Sequence, residues 1–318
     1  MSALQDKQPA LAIVGAGSVG ATMAYTALVQ GIARRVVLYD INTTKLEAEE
    51  LDIAQGLSFL HRGEIVASDD IEIVRGARMV VVTAGAKQKP GQSRMDLAAT
   101  TIELTRTLLP RLLEVAPDAT YLMVTNPVDV VTTAALRVTG MDPQQLFGSG
   151  TVLDSSRLRQ EISERIGVAV QSVHAHVVGE HGDTEFPLWS SASVGGVPLL
   201  EWETTSGRLG KFERDDIEHA VMSSAGRIIA GKGATNYAVA LSCCAIINAV
   251  MRDEGRVMPV STWLDEYYGI SNVCLSVPTV VDGHGAHWRL PTSMTDDELV
   301  RLRSSADSIK AIAATFGL

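Results

Sequence analysis

Short apolar runs alternate with amphipathic stretches along the first half of the chain. Residues 11–14 and 35–39 are apolar runs of strand length, and a helical pattern follows each of them. Residues 79–83 and 121–124 are further strand candidates, apolar enough to be covered on both faces as parallel strands are. This strand–helix–strand rhythm predicts an α/β fold with a doubly wound parallel sheet.

The pattern changes after residue 148, where longer helices and separate strands replace the regular alternation. The predicted elements are a long helix from about residue 151, strands around 173–178, helices within 212–250, strands near 257 and at 273–281, and a terminal helix at 295–316. We therefore expect two domains, an α/β domain at residues 1–148 and an α+β domain at residues 149–318.

Composition and charge exclude several classes of protein. The 318 residues carry a net charge of -10, with 46% hydrophobic residues, which is typical of a globular protein and unfavourable for binding nucleic acid. The weakly polar stretch at 234–250 contains Asn236 and Asn248, so it predicts a buried helix and not a membrane span. Because the first residues also lack the pattern of a secretory signal, we expect a cytoplasmic protein without a membrane segment.

The sequence GAGSVG at residues 15–20 fits the G-x-G-x-x-G pattern of a phosphate-binding turn. The pattern alone also fits an ordinary strand–turn–helix, but here a predicted strand precedes it, a helix follows, and Asp40 ends the next predicted strand. Glycine permits the tight turn and the close approach of a pyrophosphate, and an acid at this spacing binds a ribose hydroxyl. The motif predicts a Rossmann-type site, and since Asp40 repels a 2'-phosphate, it favours NAD over NADP.

His181 lies in the segment VVGEHGDTEFP and could pack, bind a metal or move a proton. The segment lacks histidines at helical spacing, and Cys243, Cys244 and Cys274 have no metal-binding spacing, so we expect no metal. Proton transfer needs a carboxylate that orients the ring. Asp154 and Arg157 share a helix face and could reach one ligand together, although an ordinary surface pair has the same spacing.

Residues 84–93, AGAKQKPGQS, predict a loop because they combine two glycines, a proline and polar residues. Ser93 and Asp96 resemble a capping box, which predicts that a helix starts there. Arg94 is therefore expected at the junction of the loop and the helix.

Six motifs in this chain occur in the order found in L-lactate and malate dehydrogenases. They are GAGSVG with Asp40, AGAKQKPGQSR, VTNPVD, LDSSRLR, GEHGD and KGAT. The chain resembles the bacterial L-lactate dehydrogenases most closely, and the resemblance spans nearly its whole length. It departs from the family pattern around the loop at Gln92, Met95, Ala98 and Thr101, which flank the functional arginine without replacing it.

The resemblance implies a role for each matching residue. His181 would donate and accept the proton, Asp154 would hold its ring, Arg157 would bind the substrate carboxylate, and Arg94 would polarise the reacting carbonyl. Asn126 would contact the nicotinamide and the substrate oxygen, and a cis bond before Pro127 is expected. The residues expected to bind NAD are Gly15, Gly17, Val19, Gly20, Asp40 and Asn126.

The choice between pyruvate and oxaloacetate depends on the residue that faces the substrate side chain. The resemblance places Gln88 there, where malate enzymes typically have an arginine for the second carboxylate, and Thr235 on the other side of the pocket. A neutral glutamine favours lactate dehydrogenase over the alternative, malate dehydrogenase. A different class, an NAD-sensing module without turnover, would need the glycine turn but not the catalytic set.

Arg159 and His174 match a pair by which many bacterial lactate dehydrogenases bind fructose 1,6-bisphosphate between subunits. Arg159 is expected to point away from Arg157, and His174 alternates with apolar neighbours on a predicted strand. The resemblance therefore predicts activation by the sugar bisphosphate and a homotetramer. A surface arginine and an edge-strand histidine remain the alternative interpretation.

Overall fold

The computed structural model describes residues 10–85, 94–207 and 209–318, with only the backbone at 94–96, 203, 211 and 212. The described residues of the first half form six strands and four helices. They are β1 Ala10–Val14, α1 Ser18–Val29, β2 Arg35–Tyr39, α2 Thr43–Gly56, β3 Glu64–Ser68, β4 Ala77–Val82, α3 Arg94–Val115, β5 Thr120–Met123, α4 Val128–Thr139 and β6 Leu146–Gly148.

The six strands are parallel and lie in the order β6-β5-β4-β1-β2-β3. Successive side chains of β1 enter two separate hydrophobic cores, with Leu11 and Ile13 in one and Ala12 and Val14 in the other. Helices therefore cover both faces, and the predicted Rossmann-type doubly wound sheet is confirmed.

In the second half, the residues that the structure describes add eight strands and five helices. They are α5 Val152–Ile166, β7 Val173–His174, β8 Val177–Val178, β9 Phe186–Pro187, β10 Ser193–Val194, β11 Val197–Pro198, α6 Leu199–Ser206, α7 Lys211–Lys232, α8 Tyr237–Arg252, β12 Arg256–Leu264, β13 Val273–Asp282, β14 Gly285–Arg289 and α9 Asp296–Thr315. Strand β12 pairs antiparallel with β6 through Ser261 and Gly148, so the main sheet continues into β12, β13 and β14. The sheet thus contains strands from both sides of residue 148.

The second half agrees with the sequence-based expectation in two regions. The strands predicted around 173–178 are β7, which pairs with β10, and β8, which pairs with β9. The helices predicted within 212–250 are α7 and α8, and Gly233 in the left-handed conformation ends the first of them. The start predicted at Ser93 lies outside the described residues, and α3 is described from Arg94 onward.

The carboxyl ends of the parallel strands position the predicted cofactor residues at one edge of the sheet. Gly15 follows β1, Asp40 follows β2, Thr83 follows β4, and Asn126 comes soon after β5. In open parallel sheets, ligands bind in the crevice outside these ends. Within the three described ranges, no helix is long and apolar enough to span a membrane.

Candidate active site

The glycine turn between β1 and α1 has room for a phosphate but not for side chains at its outer glycines. Gly15 has a φ of +110°, and a Cβ there would lie 2.7 Å from the hydroxyl of Thr83. A Cβ on Gly20 would collide with the carbonyl oxygen of Gly15. Gly17 opens α1 without a side-chain cap and faces open space. The free N–H groups of this helix end therefore fit a pyrophosphate.

Asp40 links this turn to the end of β2. Its Oδ2 accepts a hydrogen bond of 2.6 Å from the backbone N–H of Ala16, and its Oδ1 accepts one of 2.9 Å from that of Asn42. The carboxylate is thus fixed beside the glycine turn, where it fits a ribose hydroxyl of NAD. Val19 lies in the first turn of α1, and its side chain packs partly buried against the core.

His181 lies in the loop between β8 and β9, and this loop is anchored to α4. The backbone N–H of His181 donates to Oδ2 of Asp129 at 2.7 Å, and Oδ1 of Asp129 accepts from the hydroxyl of Ser261 at 2.6 Å. Burial raises the pKa of Asp129 to about 6, although both hydrogen bonds act in the opposite direction. This aspartate is the last residue of the motif VTNPVD, where nothing in the sequence indicated its role.

The same loop is anchored to α9 on another side. The backbone N–H of Glu180 donates to the hydroxyl of Ser305 at 2.7 Å, and the hydroxyl of Thr184 donates to Oε2 of Glu180 at 2.6 Å. A Cβ on Gly179, where φ is +96°, would lie 2.9 Å from the Ser305 hydroxyl. The loop therefore passes close to α9 only because residue 179 is glycine.

Hydrogen bonds between α5 and β8 bring Asp154 to His181, although the two residues are 27 positions apart. The backbone N–H of Val177 donates to the hydroxyl of Ser155 at 2.8 Å, and the hydroxyl of Thr151 donates to the carbonyl of Val177 at 2.6 Å. Asp154 Oδ2 then lies 2.7 Å from His181 Nδ1. Because Asp154 is fully buried, the alternative of an ordinary surface pair with Arg157 is wrong.

Arg157 completes this cluster of charges. Its Nη1 donates to Asp154 Oδ1 at 2.6 Å, so the aspartate joins the arginine to the histidine. Burial acts to raise the pKa of Asp154, but the charges of His181 and Arg157 and the hydrogen bond from His181 hold it below its ordinary value. Burial acts to lower the pKa of His181, yet Asp154 and Glu185 raise it well above the ordinary value. The arrangement therefore favours an imidazolium whose Nε2 remains available to a substrate.

Glu185 is a second carboxylate beside the ring that the sequence analysis did not identify. Its side chain is 5% exposed, and its Oε2 lies 3.7 Å from His181 Nδ1. Burial, followed by the charge of Asp154, raises the pKa of Glu185 against the charge of His181. Its position four residues after His181 was a weak signal, because spacing within a loop does not fix which side chains meet.

The ligand atoms of Asp154, His181 and Glu185 lie within 4.8 Å of one another, as the donors of a metal site would. A metal requires an unprotonated ring nitrogen, whereas here Nδ1 makes a 2.7 Å hydrogen bond with Asp154. Arg157 also occupies the other oxygen of Asp154. We therefore assign this cluster to proton chemistry, and the expected absence of a metal stays a prediction.

The remaining predicted substrate residues are only partly described. Asn126 is exposed beyond the end of β5, and the Asn126–Pro127 bond is cis, as expected. Thr235 is half-buried between α7 and α8. Arg94 is the first described residue of α3, but its side chain lies outside the described part, as does Gln88.

The two predicted allosteric residues lie near further basic side chains. Arg159 is half-buried on α5, and burial followed by the charge of Arg256 lowers its pKa. His174 is exposed on β7, and His176 follows two positions later. Burial, followed by the charges of Arg159 and His174, lowers the pKa of His176 to about 4. The sequence analysis did not identify His176 or Arg256, because they come together only through the packing of α5 on the strands.

Known proteins resemble the chain over nearly its whole length. Residues 10–148 match the NAD-binding domain of lactate/malate dehydrogenases, and residues 151–316 match their α/β C-terminal domain. The chain is 49% identical over 313 residues to the L-lactate dehydrogenase of Bifidobacterium animalis subsp. lactis, with 98% of each chain covered. It is 42% identical over 298 residues to that of Nitratidesulfovibrio vulgaris, covering 93% of this chain and 96% of the relative.

The solved structures give the same result. The ligand-bound minor L-lactate dehydrogenase of Enterococcus mundtii superposes with a TM-score of 0.94 at 34% identity, covering 97% of this chain and 98% of that one. A lactate dehydrogenase from a deep-sea metagenome also has a TM-score of 0.94, at 31% identity, over 98% of this chain and 99% of that one. The sequence and the fold therefore agree that the chain belongs to the lactate/malate dehydrogenase family, as an NAD-dependent dehydrogenase.

Proposed function

We propose that the protein is an L-lactate dehydrogenase that interconverts pyruvate and L-lactate with NAD. The observation that carries this proposal is the buried cluster in which Asp154 lies 2.7 Å from the His181 ring and 2.6 Å from Arg157. The cluster combines a proton donor with a carboxylate-binding cation, which a module that only senses NAD does not need. Residues 1–148 would bind the dinucleotide, and residues 149–318 would supply most of the substrate site.

In the proposed reaction, Arg157 binds the substrate carboxylate through guanidinium N–H groups that Asp154 leaves available. When bound, NADH supplies the hydride that reduces the keto carbon. Protonated His181 donates its Nε2 proton to the keto oxygen, while Asp154 accepts from Nδ1 and stabilises the imidazolium before the transfer. Arg94 stabilises the negative charge that develops on the same oxygen. In lactate oxidation, neutral His181 accepts the hydroxyl proton instead.

Substrate choice is proposed to depend on Gln88 and Thr235, following the resemblance to lactate dehydrogenases. Replacing Gln88 by arginine would offer a cation to the second carboxylate of oxaloacetate. We expect the ratio of kcat/KM for pyruvate to that for oxaloacetate to fall by about tenfold or more, since a hydrogen bond to a charged group contributes about 1.5–3 kcal/mol.

Steady-state assays that follow NADH absorbance with each acid test this expectation. The wild-type protein should prefer pyruvate, and Gln88→Asn provides a neutral control that should keep this preference. A wild-type preference for oxaloacetate would favour malate dehydrogenase, and a lack of NADH consumption with either acid would favour the NAD-sensing module. An unchanged ratio in Gln88→Arg would contradict the role of this residue.

Fructose 1,6-bisphosphate is the proposed activator, bound by Arg159 and His174. The support is the basic cluster in which Arg256 and His176 lie near these two residues. Nδ1 of His176 is buried and has no hydrogen-bond partner among the described residues. A ligand with two phosphates would offset the repulsion between the charges of Arg159 and Arg256 on an otherwise acidic protein, and it could accept a hydrogen bond from His176.

The proposed homotetramer is supported by apolar side chains that α1, α2 and α8 leave exposed. Tyr25, Leu51, Tyr237 and Leu241 are each more than half exposed. Tyr25 and Tyr237 also line one cavity between these helices. A second copy of the chain packed on this face would bury these side chains.

The sugar bisphosphate is expected to lower the pyruvate concentration at half-saturation by about fivefold or more, as is usual for allosteric coupling. Arg159→Gln should abolish this shift because it removes a cation from the proposed site. Arg165→Gln, at an exposed position on the same helix, provides the control and should respond as the wild type does. Pyruvate saturation curves with and without the bisphosphate decide the question, and a full response in Arg159→Gln would contradict the assignment.

A further inference from the structure

Glu185 faces the same ring nitrogen of His181 that Asp154 contacts. Its side chain is buried at the start of β9, with Oε2 3.7 Å from Nδ1, while Asp154 Oδ2 lies 2.7 Å from the same atom. Two carboxylates thus converge on one imidazole. An ionised carboxylate in such a buried position needs a cation or hydrogen bonds to remain charged.

The other carboxylates near His181 have further partners of their own. Asp154 is shared between His181 and Arg157, so its single negative charge faces two cations. Asp129 accepts from the backbone N–H of His181 and from Ser261, on the other side of the loop. Glu180 accepts from the hydroxyl of Thr184.

Glu185 is the second carboxylate beside the imidazolium. His181 is the cation that lies within 4 Å of both Asp154 and Glu185, whereas Arg157 pairs with Asp154. The charges of these four side chains sum to zero until the substrate carboxylate of the proposed reaction binds Arg157.

We propose that Glu185 is a positioning residue, a second carboxylate partner that keeps His181 protonated and ready to donate its proton to pyruvate. This inference rests on the proposed acid–base role of His181. Asp154 orients the ring by a direct hydrogen bond. Glu185 acts differently, through its charge and over a longer distance. The charge of Glu185 is among the causes that raise the pKa of His181, after that of Asp154.

The glutamine variant Glu185→Gln separates this charge from the packing of the side chain. Glutamine has nearly the same shape and retains an oxygen that can accept from the backbone N–H of Gly182, which bonds to Glu185 in the wild type. With the charge removed, His181 should lose its proton at a lower pH. The measurement is kcat/KM from about pH 5 to pH 10, for pyruvate reduction and for lactate oxidation.

The direction of the expected pH shift follows from the protonation state of His181 that each direction of the reaction needs. Pyruvate reduction requires protonated His181 and declines at alkaline pH, whereas lactate oxidation requires neutral His181 and declines at acid pH. In Glu185→Gln, the midpoints of both declines should move to lower pH by about one unit, which corresponds to a tenfold weaker hold on the proton. A purely structural role would lower the plateau rates and leave both midpoints in place.

Asp183→Asn is the matched control, because it removes one charge from the same loop at an exposed position. It should shift the midpoints far less than Glu185→Gln, since water screens its charge. Should Glu185→Gln fail to fold, Glu185→Asp retains the charge at a shorter reach. Its midpoints should move only slightly to lower pH, and unmoved midpoints with lowered plateaus would then count against the proposal.

The two proposals fail in different ways. If kcat/KM of the wild-type protein does not decline at alkaline pH for pyruvate reduction and at acid pH for lactate oxidation, His181 is not the proton donor, and the inference about Glu185 fails as well. If both declines are present and Glu185→Gln leaves their midpoints unchanged, only the role of Glu185 is contradicted.

Discussion

Replacing His181 by asparagine is expected to lower kcat/KM for pyruvate by about a thousandfold or more, near the upper range for loss of a general acid. Asparagine can still donate to Asp154 Oδ2 from its amide group, so the buried carboxylate keeps a partner. The substitution removes the Nε2 proton and the positive charge of the imidazolium from beside the keto oxygen. The measurement is the initial rate of NADH consumption at varied pyruvate concentrations.

NADH binding, followed by its fluorescence, should be nearly unchanged in His181→Asn, because the glycine turn and Asp40 lie in a separate part of the chain. His219→Asn, an exposed histidine on α7, is the control and should retain wild-type activity. A loss of less than about tenfold in His181→Asn would contradict the assignment of the proton donor.

Replacing Asp154 by asparagine should lower kcat/KM for pyruvate at pH 7 by about a hundredfold or more. The substitution removes a negative charge from beside two cations, since Asp154 contacts His181 Nδ1 at 2.7 Å and Arg157 Nη1 at 2.6 Å. The pKa of His181 is raised in the wild type, largely by Asp154 against the effect of burial. Without this carboxylate, the imidazole holds its proton only at lower pH.

The loss in Asp154→Asn should therefore depend on pH. Activity with pyruvate should recover in part as the pH falls below about 6, because more of the His181 population is then protonated. The pH profile of kcat/KM between pH 5 and 9 measures this recovery. A loss of equal size at every pH would indicate that Asp154 only orients the ring.

The sequence predicted the cofactor half of the fold well because its signals are local. Gly15, Gly20 and Asp40 stand next to the strands whose ends they occupy, and parallel strands bring those ends together. Strand β3 was missed because it lies at the sheet edge, where most of its side chains are only partly buried and no continuous apolar run is needed. Helix α4 was missed because its β-branched residues favour strands, and it forms through burial on nearly all sides.

The catalytic site could be predicted only in part, because it is built from contacts between residues that lie far apart in the sequence. Helical spacing placed Asp154 and Arg157 on one face, but their roles beside His181 came from the resemblance to a family, since residues separated by 27 positions carry no local signal of contact. Asp129 and Glu185 were not predicted, because their contacts with His181 form only in the folded protein and sequence spacing does not indicate them. The roles of Gln88 and Arg94 depend on side chains outside the described residues, and they stay predictions.

The hydrogen bond between Glu180 and Ser305 joins residues 125 positions apart. A ribosome makes the chain from its N-terminus, so the histidine loop emerges long before the helix that fixes one side of it. Until α9 docks, the backbone N–H of Glu180 lacks this partner, and the loop is without one of the anchors that hold it in the folded protein. A nascent chain would therefore complete the support of the histidine loop only after the segment containing Ser305 has been synthesised and packed, however early the dinucleotide half has folded.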